Sequence, residues 1–152
     1  MKEETATMPE SIAETLAADH RRCDRLLAQV EIRAGRSDWE GAASDASALE
    51  QAMDQHLRFE EESLFPPLEQ ARPMAKGPTG VMRMEHAQIR QLLGDLIAAT
   101  EARDRDDCLG LLETLHLVIQ QHNAKEEAIL YPMADAALGS QAPALLARLA
   151  GH

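Results

Sequence analysis

Apolar residues recur at every third or fourth position along four long stretches of the chain, and this spacing predicts four amphipathic α-helices. Ser11 and Glu14 have the spacing of a capping box at the start of the first helix, although Pro9 would fit the first turn of a slightly earlier start. Gly35 is predicted to end this helix. The apolar stripe consists of Ile12, Leu16, His20, Cys23, Leu27 and Val30.

The second helix is predicted to begin at another capping box, formed by Ser37 and Glu40. The adjacent prolines Pro66 and Pro67 lack backbone donors, so they are expected to kink or end this helix. Its stripe consists of Ala46, Leu49, Met53, His56, Glu60 and Leu64. Residues 72–80, rich in proline and glycine, are interpreted as a linker between two halves that is too short to separate domains.

The second half of the chain continues with two more amphipathic stretches. The third stripe consists of Met82, His86, Ile89, Leu93, Leu96 and Thr100. Asp104 and Asp107 are predicted to start the fourth helix, because acidic side chains are favoured near a helix N-terminus. Its stripe consists of Cys108, Leu111, Leu115, Ile119, His122, Glu126, Ile129 and Met133. Gly139 and Ser140 break this helix, and residues 144–149 can form a short fifth helix over one end.

Four striped helices with short connections predict an all-α fold, an up-down-up-down four-helix bundle with a short C-terminal helix. The two halves carry the same motif, displaced by 66 residues. Residues 56–66 and 122–132 share His, two adjacent Glu, Leu and Pro at the same places. Upstream, His20 is matched by His86. The repeat also pairs Phe65 with Tyr131, and Asp19 with Glu85.

The spacing within each motif brings metal-binding side chains to one face of a helix. Residues four apart differ by about 40° in direction and about 6 Å along the helix axis. Two such helices facing each other, with one imidazole from each of the other two helices, collect four imidazoles and two carboxylates. That set suits a pair of first-row transition metals bridged by the carboxylates. The candidate metal ligands are His20, His56, Glu60, His86, His122 and Glu126.

Other polar residues near the motif are given simpler roles. A glutamate on an apolar stripe is costly unless it is paired or metal-bound, which sets Glu60 and Glu126 apart from their neighbours. The remaining glutamates turn off the stripes and are expected to be solvated, with a hydrogen bond from Glu61 or Glu127 to a ligand as the alternative. His116 is predicted to be a surface residue and His152 a mobile terminal one. The glutamates in question are Glu61, Glu62 and Glu127.

Three further side chains each have more than one interpretation. Cys23 lies one turn from His20 and is interpreted as a small core residue, the alternative being a thiol close to an oxidised metal centre. Asp24 and Arg90 occupy matching places in the repeat. They are expected either to lie on the surface or to pair across the bundle, with Asp24 as a further metal ligand the minor alternative.

Composition and net charge restrict the cellular location of the protein and the classes of partner that it can bind. A chain of 152 residues is the size of one domain, and its apolar content of 45% is mostly Leu, Ala, Ile and Met, which favour helix. The net charge of −11 argues against nucleic acid or an anionic membrane as a partner. Without an apolar N-terminal run, a membrane-spanning stretch or a disulfide pattern, we expect a cytoplasmic protein.

The repeated His and His-x-x-x-Glu motifs, with Leu-Tyr-Pro after the second, resemble the hemerythrin-like (HHE cation-binding) domain over about residues 11–135. The resemblance implies a single four-helix bundle of two pseudo-symmetric helix pairs around a non-haem di-iron site. It also implies terminal His ligands, two bridging Glu and an oxo or hydroxo bridge, with Zn or Mn as substitutes. Oxygen-carrying hemerythrins have a further His where this chain has Arg90, so the resemblance is closer to iron-centre repair proteins.

These features lead to one main hypothesis and two alternatives. The main hypothesis is a di-iron protein that binds or responds to O₂, peroxide or NO, in sensing, scavenging or iron handling, and is a binding protein more than an enzyme. One alternative is a di-iron enzyme with peroxidase-like, oxidase or NO-reducing activity, or an iron donor in iron-sulfur centre repair. The other is a regulatory bundle in which Zn²⁺ is a structural staple. No sequence feature names a protein partner, and the chain is expected to be a monomer or a homodimer.

Overall fold

A computed structural model describes residues 10–151, and no residue in that range belongs to a β-strand. The expected helix start at Pro9 and the terminal His152 lie outside the described residues. The four long helices are α1 (Ile12–Gly35), α2 (Trp39–Phe59), α4 (Lys76–Ala102) and α5 (Arg105–Lys125). The short helices are α3 (Phe65–Ala71), α6 (Tyr131–Leu138) and α7 (Ala142–Gly151). Two π-helical turns (Glu60–Leu64 and Glu126–Leu130) and two 3₁₀ turns (Pro73–Ala75 and Gly139–Gln141) join them.

The four long helices pack side by side around a common interior. Helix α1 contacts α2 and α5, and α4 contacts the same two helices. The short α7 packs against α1 and α2. The all-helical fold with four long helices and a short C-terminal helix is therefore confirmed. None of the described helices has the length and apolar content needed to traverse a lipid bilayer.

The helix caps agree with the sequence at two of three predicted positions. Ser11 and Glu14 form a reciprocal capping box at the start of α1, and the Asp104 side chain accepts from the backbone of Asp107 at the start of α5. The capping box predicted at Ser37 is wrong. Ser37 adopts a left-handed conformation (φ 56°) in the turn after α1, so the cap falls one residue later, on Asp38.

The repeated prolines follow two π-helical turns. The backbone N–H of Phe65 bonds to the carbonyl of Glu60, five residues earlier, and that of Tyr131 bonds to the carbonyl of Glu126. Pro66 and Pro67 then lie in the first turn of α3, where missing N–H groups are tolerated. The prolines were predicted to kink or end the second helix. In the structure α2 ends earlier, at Phe59, and the π turn Glu60–Leu64 separates it from the prolines in α3.

The predicted linker over residues 72–80 is mostly helical, which corrects the sequence interpretation. Only Arg72 separates α3 from the 3₁₀ turn Pro73–Ala75, and α4 begins at Lys76. Gly77 and Pro78 therefore lie in the first turn of α4. Proline is favoured there because its fixed φ suits a helix and its missing N–H has no partner to lose.

Apolar side chains form two clusters, one on each side of a layer of polar residues. Every residue of the first three predicted stripes is buried. The fourth stripe differs, because Leu112 is buried in place of Leu111, Ile129 is 54% exposed and Met133 is only partly buried. A period of 3.6 residues permits Leu112, and the π turn shifts burial from Ile129 to Leu130. One cluster includes Cys23, Leu27, Leu49, Met53, Ile89 and Ile119, and the other includes Leu16, Phe59, Phe65, Leu68, Met82 and Tyr131.

Candidate metal centre

The six predicted metal ligands meet in the polar layer between the two apolar clusters. Each long helix supplies one histidine, and each π turn begins with one glutamate. All six are buried, with at most 5% of the residue exposed. They are His20 on α1, His56 on α2, His86 on α4, His122 on α5, and Glu60 and Glu126 at the π turns.

These side chains form two overlapping groups of four. One group is His20, His56, Glu60 and Glu126, and the other is Glu60, His86, His122 and Glu126. Within each group, one nitrogen or oxygen from every residue lies within 4.8 Å of the others. The two carboxylates belong to both groups. Each side of the shared carboxylate pair has two histidines. This donor set suits two first-row transition metals, with the carboxylates able to bridge them.

Several ligand atoms at this centre are buried without a hydrogen bond of good geometry. Of the five such buried side-chain polar atoms among the described residues, four lie here. They are close to other ligand atoms, because His86 Nε2 lies 3.0 Å from Glu60 Oε1 and His122 Nε2 lies 3.3 Å from Glu126 Oε1. Buried nitrogen and oxygen atoms that are this close but poorly aligned for hydrogen bonds fit a donor set that faces a cation. The four atoms are Glu60 Oε1, His86 Nε2, His122 Nε2 and Glu126 Oε2.

Each of the four candidate ligand histidines hydrogen-bonds to a carboxylate through Nδ1, the ring nitrogen that faces away from the centre. The Nδ1–H of His20 donates to Glu127 at 2.7 Å and that of His56 to Asp19 at 2.7 Å. In the second half, His86 donates to Glu61 at 2.7 Å and His122 to Glu85 at 2.8 Å. A proton on Nδ1 leaves the Nε2 lone pair facing the centre, and the carboxylate makes that nitrogen a stronger donor to a metal.

The roles of Glu61 and Glu127 correct the expectation that these residues are solvated. A residue next to a metal ligand points about 100° further around its helix. In a bundle that direction faces the neighbouring helix, and the glutamate side chain is long enough to reach its histidine. The Glu61 side chain is 24% exposed and also binds Arg90. The structure confirms the alternative prediction for Glu61 and Glu127, a hydrogen bond to a candidate ligand. Glu62 lies on the outer face and pairs with Arg58.

A tyrosine hydroxyl lies at the middle of the site. Tyr131 donates to Glu60 Oε2 at 2.5 Å and approaches Glu126 Oε1 at 2.9 Å. Its oxygen is also 3.0 Å from His20 Nε2 and 3.2 Å from His56 Nε2. The repeat showed an aromatic residue here, but the role of the hydroxyl was missed, because the side-chain direction depends on the π turn before it.

Comparison with protein families agrees with this geometry. Residues 11–134 match the hemerythrin HHE cation binding domain. The chain belongs to this family. No curated protein and no solved structure matches the chain. The family resemblance predicted from the two repeated motifs is thus confirmed, and membership in a cation-binding family agrees with a buried His and Glu cluster that can hold metal.

The charges in this hemerythrin-like centre raise the pKa values of three of its histidines, His56, His86 and His122. Burial alone would lower the pKa of His56, but the charge of Glu60 and the bond to Asp19 outweigh it and raise the pKa to about 10. For His86 the two central carboxylates likewise outweigh burial, and the pKa rises to about 9. Burial would raise the pKa of Glu126, yet the surrounding histidines keep it well below its usual value. A cation would replace the protons on His56 and His86 and offset the same negative charge.

The remaining candidates lie outside the hemerythrin-like centre. His116 is exposed on α5, as predicted. Cys23 is buried in the apolar cluster, and burial raises the pKa of its thiol to about 12, which agrees with a core role. Asp24 accepts from Gln120, and Arg90 pairs with Glu61 at 2.8 Å, so these partners replace the proposed pairing of Asp24 with Arg90.

Proposed function

We propose that this chain is a non-haem di-iron protein that binds or responds to O₂, peroxide or NO. The observation that carries the proposal is the pair of four-residue groups that share Glu60 and Glu126. A structural zinc staple needs only one closed four-ligand site. Two groups with common carboxylates suit two adjacent ions, and iron is the metal that the family resemblance implies, with Zn or Mn able to occupy the same donors.

The six candidate ligands would hold the two ions as two sets of side chains that share the carboxylates. Glu60 and Glu126 would contact both ions, and each ion would take two imidazole nitrogens, His20 and His56 or His86 and His122. A bound iron pair supplies a two-electron change between its ferrous and ferric states. The four outer carboxylates would keep every imidazole oriented and neutral toward its ion.

The donor count leaves room for an exogenous ligand. Each group of four supplies two histidines and two carboxylates, whereas first-row ions with mixed oxygen and nitrogen donors often take six. Arg90 lies where oxygen-carrying hemerythrins have a further histidine, and its guanidinium is engaged with Glu61 instead. We infer that these open positions accept a diatomic molecule or peroxide, a use that favours sensing or scavenging over reversible oxygen carriage.

The test is metal analysis of anaerobically purified, iron-replete protein, combined with optical spectra of the reduced and oxidised forms. We expect two iron ions per chain, and one ion after His122→Ala. His116→Ala is the control and should keep both ions. A stoichiometry of one in the unaltered protein would contradict the bridged pair.

The second candidate function is a peroxidase-like enzyme, and the position of Tyr131 favours it. A buried hydroxyl against both shared carboxylates can donate a hydrogen bond to a substrate oxygen as charge develops there. Turnover distinguishes the two functions. Reduced iron protein given repeated equivalents of peroxide and a reductant would stop after one equivalent if it only binds or senses, and would continue if it is an enzyme.

Three expectations of architecture and location belong to the same proposal. We infer one domain whose four long helices alternate in direction, because residues 36–38 and 103–104 are too few to return the chain to the starting end. We also infer a reducing, cytoplasmic setting, in which Cys23 and Cys108, both free and buried, stay reduced. Crosslinking of the N-terminal end of α1 to the C-terminal end of α2 would test the alternation of helix direction.

A further inference from the structure

The two halves of the centre differ in how they are covered, and the offset of 66 residues allows a direct comparison. In the second half, the ring of Phe65 stacks near His86, with 5.8 Å between ring centroids. The guanidinium of Arg83 lies 5.3 Å from the centroid of the Phe65 ring. Glu69 holds Arg83 there through a contact of 2.6 Å, and Thr79 bonds to the same carboxylate. This half is covered by a long, anchored side chain.

Within residues 10–151, the first half has no such cover at the matching position. The residues that correspond to Thr79 and Arg83 are Ala13 and Ala17. The residue that corresponds to Glu69 is Asp135, which accepts from the backbone of Ile12 and Ala13 at the start of α1. The alanines leave a surface groove of about 530 Å³, lined among others by Ala13, Ala17, Glu127 and Tyr131.

Two side chains connect this groove to the candidate metal ligands. The ring of Tyr131 lines the groove, and its hydroxyl contacts Glu60 and Glu126. Glu127 also lines the groove with a side chain that is 44% exposed, and it holds His20. Tyr131 itself is fully buried, so it closes the bottom of the groove and stands between the groove and the carboxylates.

We propose that this groove is the entry path for a small, uncharged, hydrogen-bonding oxidant of the peroxide class, which meets the His20–His56 half of the centre first. The proposal rests on the di-iron function and adds the side from which the oxidant reaches the centre. Alanine side chains leave space but offer no groups to recognise a larger ligand. Glu10, Glu14 and Glu127 around the groove disfavour anions, and among the described lining residues Arg21 is the one cation that opposes them.

Tyr131 is the polar group that the oxidant meets at the end of this path. Its hydroxyl can donate to a peroxide oxygen, whereas the matching Phe65 cannot. One peroxide molecule takes two electrons from a ferrous pair and two protons from solvent, and it leaves as two water molecules. The half that Phe65 and Arg83 cover would be closed to the oxidant, which would arrive from the opposite side. Arg83 itself contacts Phe65 and Glu69 and none of the candidate ligands.

The test introduces an arginine at Ala17, the position that corresponds to Arg83 in the other half of the repeat. Reduced, iron-loaded Ala17→Arg is mixed with hydrogen peroxide in a stopped-flow instrument, with Arg83→Ala as the matched control. We expect oxidation to slow about tenfold or more in Ala17→Arg, which corresponds to about 1.4 kcal/mol of barrier. We expect Arg83→Ala to stay within about twofold of the unaltered protein. Ala17→Leu narrows the groove without a charge and replaces Ala17→Arg if that variant does not take up iron.

A second readout uses the metal-free protein and needs no reaction. The chain has one tyrosine and one tryptophan, so Trp39→Phe leaves Tyr131 as the only strong fluorophore. Acrylamide, a neutral quencher, should quench Tyr131 less after Ala17→Arg or Ala17→Leu than after Arg83→Ala. Equal oxidation rates in Ala17→Arg and Arg83→Ala, or equal quenching in the two variants, would overturn the entry path. If the unaltered protein takes up no iron, the di-iron function fails, and the quenching comparison still decides on the groove.

Discussion

His56 donates through Nδ1 to Asp19 at 2.7 Å, so the residue before one candidate ligand on α1 orients the next candidate ligand on α2. The second half repeats the relation, with His122 donating to Glu85 at 2.8 Å. Burial would raise the pKa of Asp19, but its bonds to His56 and Arg22 outweigh it and lower the pKa to about 2. Asp19 is therefore a charged acceptor at every ordinary pH.

Asp19→Asn should weaken metal binding without unfolding the bundle. A neutral amide accepts the Nδ1–H more weakly, so the imidazole is a poorer donor and is less firmly oriented. Loss of such outer partners lowers metal affinity by about 10–100-fold. Competition with a chromophoric chelator would measure the change. Asp24→Asn, on the same helix but bonded to Gln120, is the control and should leave the affinity unchanged.

Glu60→Ala and Glu126→Ala should reduce metal loading to a similar extent. Each carboxylate belongs to both groups of four, so each substitution removes a donor from both ions. His116→Ala should retain full loading, because His116 is exposed on α5. Metal content after gel filtration would show the pattern. Loss of a metal from His116→Ala, or very unequal losses from the two glutamate variants, would show that the ligand set is incomplete.

Iron removal should lower the melting temperature while the protein stays helical. Two apolar clusters flank the centre, so a core remains without metal. Metal that binds only the native state adds stability by mass action, on the order of several kcal/mol. Circular dichroism melting under anaerobic conditions, with and without iron, would measure the difference. Identical melting of the two forms would contradict the placement of these residues inside the bundle.

The metal-free protein should lose stability as the pH rises from neutral to alkaline. His56 and His86 have folded pKa values raised from 6.5 to about 10 and about 9. A raised histidine pKa contributes stability that is fully present below about pH 6.5 and is lost as the pH passes through the folded value. Urea unfolding between pH 6.5 and 10 would follow the loss. Glu126→Gln removes part of the charge that raises these values, so its profile should be flatter.

The proximity of Glu60 and Glu126 on its own would give a different pH dependence. Two close carboxylates disfavour joint ionisation, which would place a proton on one of them in the metal-free protein or let water enter. The structure instead surrounds them with four imidazoles and the Tyr131 hydroxyl, and the pKa of Glu126 is lowered. In the metal-free protein the protons therefore lie on His56 and His86, and metal binding should release them.

The sequence predicted the meeting of the six candidate ligands well, because helical spacing is a local property. His56 and Glu60 are one turn apart whatever surrounds them, and burial of a glutamate among leucines signals a partner. The second layer was harder to foresee. Glu61 and Glu127 bind histidines on other helices, and those contacts depend on how α2 and α5 rotate against their neighbours.

Local backbone detail was also beyond the pattern of apolar residues. Ser37 has the right chemistry for a cap, but its left-handed backbone passes that role to Asp38. Residues 72–80 have a loop-like composition, yet proline and glycine fit the first turn of α4. The tyrosine at 131 was visible in the repeat, while its contact with both carboxylates depends on the turn between Glu126 and Leu130.

The two π turns have already absorbed one additional residue each, and this makes the centre respond differently to shortening and to lengthening of the chain. A π turn holds one residue more than the α-helix that would replace it, and each residue advances a helix by about 100°. Deleting Ser63 or Ala128 should therefore restore an α turn and leave Phe65 or Tyr131 in nearly the same direction. Inserting one alanine after Leu64 or Leu130 should instead swing Phe65 or Tyr131 about a quarter-turn away from the carboxylates. Metal content of the two deletion variants, compared with the two insertion variants, would measure this difference.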